Sequence, residues 1–419
     1  MRRFITAILM VLMLVPQLTL RAEEDSSDKY LTVRGVVKDR ESRRVLPYAT
    51  VSLPGNEAGT VSNSEGEFIF KVRQSLLADA SPFVMVSHLG YNSARLNLTP
   101  GIEDKNVVIW LTPRATLLSE IIVSGRDPRG IVEEAVSKID RNYCSDHLML
   151  TGFYRETARK RRHYINVAEA VIEVSKTPYH SADISRDRVR VLRGRKLLSQ
   201  RAGDTLAVKL VGGPTLAVYL DIVKNTDELL CPEMMACFAY QLESVISLDD
   251  RRHYVVAFYP QVKLEWALYH GRFFIDMETL TLTRAEFMLD MSDREKATSA
   301  ILRKKPAGLR FKPVEASYIV DYKPSSEGRS RLSYVRSEIC FKCDWRRRLL
   351  STEYGIVSEM VVTDSRVTDG QEISRHEQFS RSHVFSDEAA LFYDPDFWGA
   401  YNIIAPEESL EHAVKKLMK

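Results

Sequence analysis

Val33-Arg-Gly-Val-Val-Lys-Asp39, Leu46-Pro-Tyr-Ala-Thr-Val51 and Gly59-Thr-Val-Ser-Asn-Ser-Glu-Gly-Glu-Phe68 decide the fold of the N-terminal part of the chain. Val33, Gly35 and Val37 alternate along one strand, and Ala49, Val51 and Leu53 alternate again before the turn Pro54-Gly55-Asn56. Phe68, Phe70 and Val72 keep the period of two, Phe83 to Ser87 is a mostly apolar run, and Val107 to Leu111 closes the set. A period of two places alternate side chains on opposite faces of a strand. Short strands of this kind, separated by Gly and Pro turns, predict an all-β sandwich of Greek-key type over residues 30–113. Gly66 supplies the positive φ of a tight turn ahead of the Phe68 strand. A calcium loop would need several more carboxylates at alternating positions than this turn carries.

Together with His88-Leu-Gly-Tyr91 and Ser119-Glu-Ile-Ile-Val-Ser-Gly125, these stretches resemble successive blocks of the carboxypeptidase-regulatory-like domain. The resemblance implies a transthyretin-like sandwich of the kind common in Gram-negative envelope proteins, including the N-terminal extension of TonB-dependent receptors. It implies no activity, because the domain is an accessory module in the peptidases that name it and contributes no catalytic residue. Such receptors would next show a plug and a long membrane barrel, and the residues after Gly125 are not expected to form either.

Residues 114–145 are predicted to form a linker strand and a helix. Asp127-Pro128 is a helix start, and Ile131, Val132, Ala135, Val136 and Ile139 follow at helical spacing up to Asn142-Tyr143. Residues 146–385 return to strand patterns, among them Tyr164 to Val174, Tyr254 to Phe258, Leu280 to Leu289, Leu309 to Tyr322 and Ser333 to Phe341. Their close spacing predicts antiparallel neighbours rather than βαβ units. The clearest hairpin runs from Gly271 to Glu286, with Asp276 to Thr279 as its turn. Arg-Arg-His-Tyr occurs at 161–164 and again at 251–254, each time where a strand begins; coincidence explains it better than duplication does. Within this region Pro214 to Lys224 is apolar at helical spacing, and Leu216, Tyr219, Leu220 and Val223 are the candidate lid or pocket-lining residues, with core packing as their default role. Residues 386–419 read as a docking tail, in which Pro395, Phe397 and Trp398 pack and Ser409 to Met418 forms a closing amphipathic helix.

Leu150-Thr-Gly-Phe-Tyr-Arg-Glu156, Ala168-Glu-Ala-Val-Ile172, Gly212-Gly-Pro214 with Asp221-Ile-Val-Lys-Asn225, and Asp394-Pro-Asp-Phe-Trp-Gly-Ala-Tyr-Asn-Ile-Ile404 are similar to envelope proteins that join such a sandwich to an uncharacterised β-rich module. The Gly271 hairpin also resembles one in the lipoprotein-carrier fold, a half-open antiparallel barrel with a helical lid. The expected fold class is therefore all-β dominated, a sandwich plus a larger antiparallel domain, open or half-barrelled, with a few covering helices.

Residues 1–22 have the layout of a signal peptide. Arg2 and Arg3 precede an apolar run from Phe4 to Val15, too short for the ~20 residues that span a bilayer, and Ala22 stands at a plausible cleavage point. The first cysteine is Cys144, so no lipid anchor is expected. Of the 59 basic residues, Arg2, Arg3 and Arg21 leave with the leader, and the remaining 56 balance the 56 acids. A net charge near zero argues against a nucleic-acid partner, and the short basic runs at Arg159 to Arg162 and Arg346 to Arg348 read as solvated turns. Cys340-x-x-Cys343 lies in an alternating strand, where residues three apart face opposite sides, so it is a poor metal or redox site. Pairing among Cys144, Cys231 and Cys237 stays open.

The chemistry-bearing patterns are missing. His376-Glu377 lacks a second histidine at Ser380, and neither a nucleophile elbow, a phosphate loop nor a dinucleotide fingerprint occurs. Asp394 and Asp396 beside Trp398 invite a glycan-binding reading, but tail docking accounts for them better. No catalytic residue, metal or cofactor is expected. The expectation is a non-enzymatic binding or scaffolding protein of the periplasm or outer membrane, with an envelope protein, lipid or glycan as partner and peripheral association with the outer membrane as an open option. The alternative is a periplasmic lipid or lipoprotein carrier with a lidded half-barrel. A hydrolase with an unfamiliar site would need buried ionisable groups converging in a cleft.

Overall fold

The computed structural model describes residues 29–77, 81–114, 125–181, 183–199, 204, 206–345, 351–370, 373–380, 383–389, 401–407 and 410. The leader, the Ser119 to Ser124 block, Arg346 to Arg348, Asp394 to Trp398 and, Leu410 apart, the helix expected over Ser409 to Met418 lie outside the described residues.

Eight strands form the sandwich: β1 (Tyr30–Asp39), β2 (Thr50–Ser52), β3 (Gly59–Val61), β4 (Glu67–Arg73), β5 (Phe83–Ser87), β6 (Tyr91–Asn92), β7 (Ala94–Asn97) and β8 (Asn106–Pro113). One sheet has the order β4-β1-β8-β6 and the other β3-β2-β5-β7. Alternation does what the sequence predicts: Val33 and Val37, Val51, Phe68, Phe70 and Val72, Val84 and Val86, and Ile109 and Leu111 all bury into one core. β1 runs parallel to β8, and the backbones meet at Gly35, where a Cβ would lie 2.5 Å from the Val107 carbonyl oxygen. Gly66 does adopt φ +74°, and there a Cβ would lie 2.7 Å from the Val37 carbonyl oxygen.

The second region is one ten-stranded, wholly antiparallel sheet built from β9 (His147–Lys160), β10 (His163–Lys176), β11 (Arg188–Leu198), β13 (Phe238–Leu248), β14 (Arg251–Pro260), β15 (Tyr269–Asp276), β16 (Leu282–Leu289), β18 (Leu309–Pro324), β19 (Ser330–Trp345) and β20 (Thr352–Thr368). The short β12 (Lys209–Leu210) and β17 (Leu302–Lys304) pair apart from it. Its order, β11-β10-β9-β20-β19-β18-β16-β15-β14-β13, is two meanders sewn together where β20 pairs with β9. β11 and β13 are opposite edges, yet they follow one another in the chain apart from short β12. The connection from Leu198 to Phe238 must therefore cross the width of the sheet. At ~4.8 Å per strand spacing, that width is several tens of ångströms in a flat sheet, and the crossing segment becomes a strap over one face.

That inner face is apolar. Leu148, Leu150 and Tyr154 of β9, Ala168, Ala170, Ile172 and Val174 of β10, Val256 and Phe258 of β14, and Phe273 and Ile275 of β15 contribute to a single core. Helix α1 (Pro128–Ser137) covers part of it; Asp127 caps the helix by accepting from the Arg129 and Gly130 amides, and Ile131, Val132 and Ala135 are buried. The short α2 (Ile139–Asn142) brings in Tyr143, whose hydroxyl donates to the Leu282 carbonyl at 2.5 Å. The strap supplies α3 (Pro214–Tyr219) and α4 (Pro232–Met235), and α5 (Arg294–Ile301), which the sequence reading missed, lies against β18. A last short helix, α6 (Phe385–Glu388), sets Phe385 edge-on to Tyr154.

The sandwich sits on the outer face. Val61 packs with Phe153, Tyr334 and Val361, and with Ile403 and Ile404 of the 401–407 segment. Gly90 N–H donates to the Ser247 carbonyl at 2.7 Å, and Ser93 N–H to Asp250 at 3.0 Å. All five cysteines, Cys144, Cys231, Cys237, Cys340 and Cys343, are free thiols in the structure.

Candidate functional site

The strap is where a lid was expected, and it differs from that expectation. Helix α3 stops at Tyr219, five residues short of the helix read from the sequence. Pro214, Thr215, Ala217 and Val218 face inward, while Leu216, Tyr219 and Leu220 are half-buried and Val223 is fully buried. The gap that Val223 lines, with Val132, Tyr143, Leu230 and Phe273 among its other walls, has a volume of only 10 Å³, less than one water needs to be comfortable; Leu216, Tyr219 and Leu220 do not line it. Val223 belongs to the apolar core, and Tyr219 and Leu220 pack against it.

The helix ends because Asp221 turns into the sheet. Its carboxylate meets the Lys176 ammonium at 2.6 Å and accepts from the Tyr179 and Tyr322 hydroxyls, each at 2.9 Å. Lys176 also pairs with Asp187 at 2.9 Å, and Asp187 accepts from the backbone and side chain of Thr177. Lys176, Asp187 and Asp221 have fully buried side chains. Burial alone would lower the Lys176 pKa, but Asp187 and Asp221 outweigh it and the net shift is upward. Lys224, one turn on, donates to the Pro178 and Ser181 carbonyls, and burial draws its pKa down to about 8. A buried charge cluster of this kind fixes the strap to the floor beneath it, the opposite of a lid that swings.

A real cavity opens beside the pinned strap. It has a volume of 230 Å³ and lies between the ends of β9, β10, β19 and β20 and the strap residues 206–213. Its walls include Ala158, Ile165, Leu206, Val208, Ile339 and Ile356, and its polar end holds Glu156, Asn166, Ser337 and Ser358. The period of two in β9 puts Glu156 on the same face as Leu150 and Tyr154. Burial, the largest influence, pushes the Glu156 carboxyl above the usual carboxylate range; the Tyr154 hydroxyl, which donates to it at 3.1 Å, pulls the other way, and Lys196 and the Gly213 amide do not restore the balance. Ser337 and Ser358 are bonded to each other at 2.7 Å, and the buried Asn166 Oδ1 has no hydrogen-bond partner.

A wider cleft, 470 Å³, lies between sandwich and sheet. Glu57 spans it, taking a 2.9 Å bond from Arg331 Nε and others from the Ser326 amide and the Ser365 hydroxyl. Burial opposes ionisation of Glu57, and Arg331 with these donors overcomes it, so its pKa falls below the usual value. On the same outer face Arg155 bonds Glu169 at 2.8 Å and reaches the Ile404 carbonyl at 2.8 Å. Asn402 exchanges two bonds with the Lys71 backbone, at 2.6 and 2.8 Å, and the 401–407 segment thereby ties β4 of the sandwich to β9 of the sheet. Cys340 and Cys343 stand on opposite faces of β19, and both thiols are pushed up to about 11, burial being the main cause. Among the described residues no group of three or more His, Cys, Asp or Glu is placed to hold a metal.

Residues 33–123 match the family model of the CarboxypepD_reg-like domain, so the sandwich is recognised as that domain, followed by a β-rich region. Among curated proteins none matches the chain. Of solved structures, a provisionally named outer membrane lipoprotein-sorting protein domain from Vibrio parahaemolyticus is 10% identical, covering 58% of this chain and 94% of its own at a TM-score of 0.28. A DUF1329 family protein from Desulfovibrio piger is 11% identical, covering 59% and 96% at 0.26, and a LolA superfamily protein from Nitrosomonas europaea is 11% identical, covering 59% and 97% at 0.22. These scores are too low to argue from.

Proposed function

We propose that the protein is a non-catalytic binding and scaffolding component of the bacterial envelope, in which the sandwich docks and the large sheet presents the specific surface. The observation that carries this reading is the packing beneath the pinned part of the strap: Lys176, Asp187 and Asp221 hold it down, the space beneath Val223 is 10 Å³, and the cavity beside it is 230 Å³. A lipid carrier needs a continuous apolar chamber between strap and sheet, because pockets that bury even a drug-sized ligand run to ~300–1,000 Å³. The leader-like residues 1–22 support export, and a signal peptide of this layout would direct the chain to the periplasm or outer membrane.

The test is native mass spectrometry of the protein purified from its own envelope fraction, followed by organic extraction. A lipid-free protein arriving with a second polypeptide supports the scaffold. A stoichiometric co-purifying lipid overturns it in favour of the carrier.

A further inference from the structure

The cavity at Glu156 is too small for an acyl lipid and too polar at one end to be a packing defect. An empty cavity that persists in a protein is apolar; a polar one holds water or a ligand that displaces it. Here the polar lining sets the Glu156 carboxyl, which accepts from the Tyr154 hydroxyl, beside the unpartnered Asn166 Oδ1. Glu156 has no described cation within ion-pair distance, Asn166 Oδ1 is buried and unpartnered with its residue 8% exposed, and the Ser337 and Ser358 hydroxyls offer lone pairs beyond the bond they share. The opposite wall is aliphatic, and the partly exposed Leu198 and Val211 stand where the cavity nears the surface. Lys196 and Lys209 are the cations on the wall. Lys209 pairs with Asp387 at 2.6 Å, and Lys196 lies two strands from Glu156, since both are in register with Ala168, with no ion pair described between them.

We propose that this cavity is a binding site for a small organic ammonium compound, with the charged nitrogen between Glu156 and Asn166 Oδ1 on neighbouring strands and the apolar body against Ile165, Ile339 and Ile356. A primary ammonium supplies three donors and the missing counter-charge, whereas a carboxylate ligand would face Glu156 and the free acceptors. This rests on reading the protein as a binding protein and names a ligand class for it. Burying a carboxyl without a cation destabilises a fold, and the pH dependence has a definite sign. With its folded pKa raised, Glu156 costs nothing below the ordinary carboxyl range, and the cost grows as pH rises through the ordinary value and levels off above the folded one. In the ligand-free protein, wild type therefore loses stability relative to Glu156→Gln as pH rises from about 4 to about 8.

The experiment is isothermal titration of the full protein with n-hexylamine, hexan-1-ol and hexanoate, with near-UV circular dichroism to confirm that each variant is folded. The amine should bind, more tightly at about pH 8 than at about pH 4 as Glu156 ionises, and Glu156→Gln should weaken it about tenfold or more. Ala158→Phe, which fills the cavity from its wall, should abolish binding. Equal binding of hexanoate, no binding of the amine, or an affinity that ignores both pH and Glu156→Gln would each overturn the proposal. The pH comparison needs no variant, so a misfolded mutant does not spare it. Failure here would leave the scaffold reading standing, because that reading is decided by what co-purifies with the protein.

Discussion

The two faces of the ten-stranded sheet are made by alternate residues of the same strands, and they handle charge in opposite ways. On the inner face charges are rare and act as single pins: Lys176 holds Asp187 and Asp221 out of contact with solvent, and Glu156 is buried without a described cation. On the outer face they form cross-strand ladders. Arg155, Glu169 and Arg195 link three strands, Arg336 bridges Glu338 and Glu359, and Arg284 bridges Glu286 and Asp321. A pin fails when one partner goes, while a ladder shares each loss among neighbours. The difference teaches that one face is committed to holding a shape and the other to receiving other segments, here the sandwich and residues 401–407.

The largest expected effect tests the pin. Asp221→Asn keeps the shape but leaves Lys176 with one partner, and should cost about 3–5 kcal/mol in urea denaturation, as breaking a buried ion pair does. Next comes the most buried rung. Arg155→Ala leaves Glu169 still paired with Arg195 but strips the Ile404 and Ala405 carbonyls, and should cost about 2–3 kcal/mol. A loss from Arg155→Ala as large as that from Asp221→Asn would erase the distinction between pin and ladder. Asn402→Ala removes two bonds to the Lys71 backbone, and about 1–2 kcal/mol should disappear together with protection of the tail from limited proteolysis. The smallest effect belongs to Arg272→Ala. Arg272 is half exposed against Glu243, and less than ~1 kcal/mol is expected, which high salt should reduce further.

Much of this was legible in the residues, because a period of two is a local signal. The sandwich strands, the Asp276 to Thr279 turn and most strands of the large sheet follow from it. The turn is held by Asp276, which accepts from the Glu278 and Thr279 amides. The β20 to β9 seam was not legible, since pairing between distant strands leaves no pattern in either one. The strap was over-read as a longer helix: Leu220 and Val223 have helical spacing, but Asp221 between them is drawn to Lys176, and the Val223 amide donates to the Tyr322 hydroxyl instead of continuing a helical ladder. Helix α5 was missed because only Ala297 and Ile301 are buried, too few to set an apolar period in so short a helix. The signal for the inner charges was present but passed over. Glu156 and Lys176 fall in step with the apolar residues of β9 and β10, and a charge on the apolar phase of a strand marks a site that needs a partner.

The seam also sets a timetable. β9 pairs with β10 as soon as that hairpin exists, but its other edge waits for β20, and about 190 residues separate Lys160 from Thr352. A separation of that length makes the closing contact one of high loop-closure entropy, which forms late in folding. In the meantime a long strand offers unsatisfied amides and carbonyls to any other strand nearby. Until β20 arrives, the open edge of β9 is the part of the sheet most exposed to wrong pairing, wherever the chain folds.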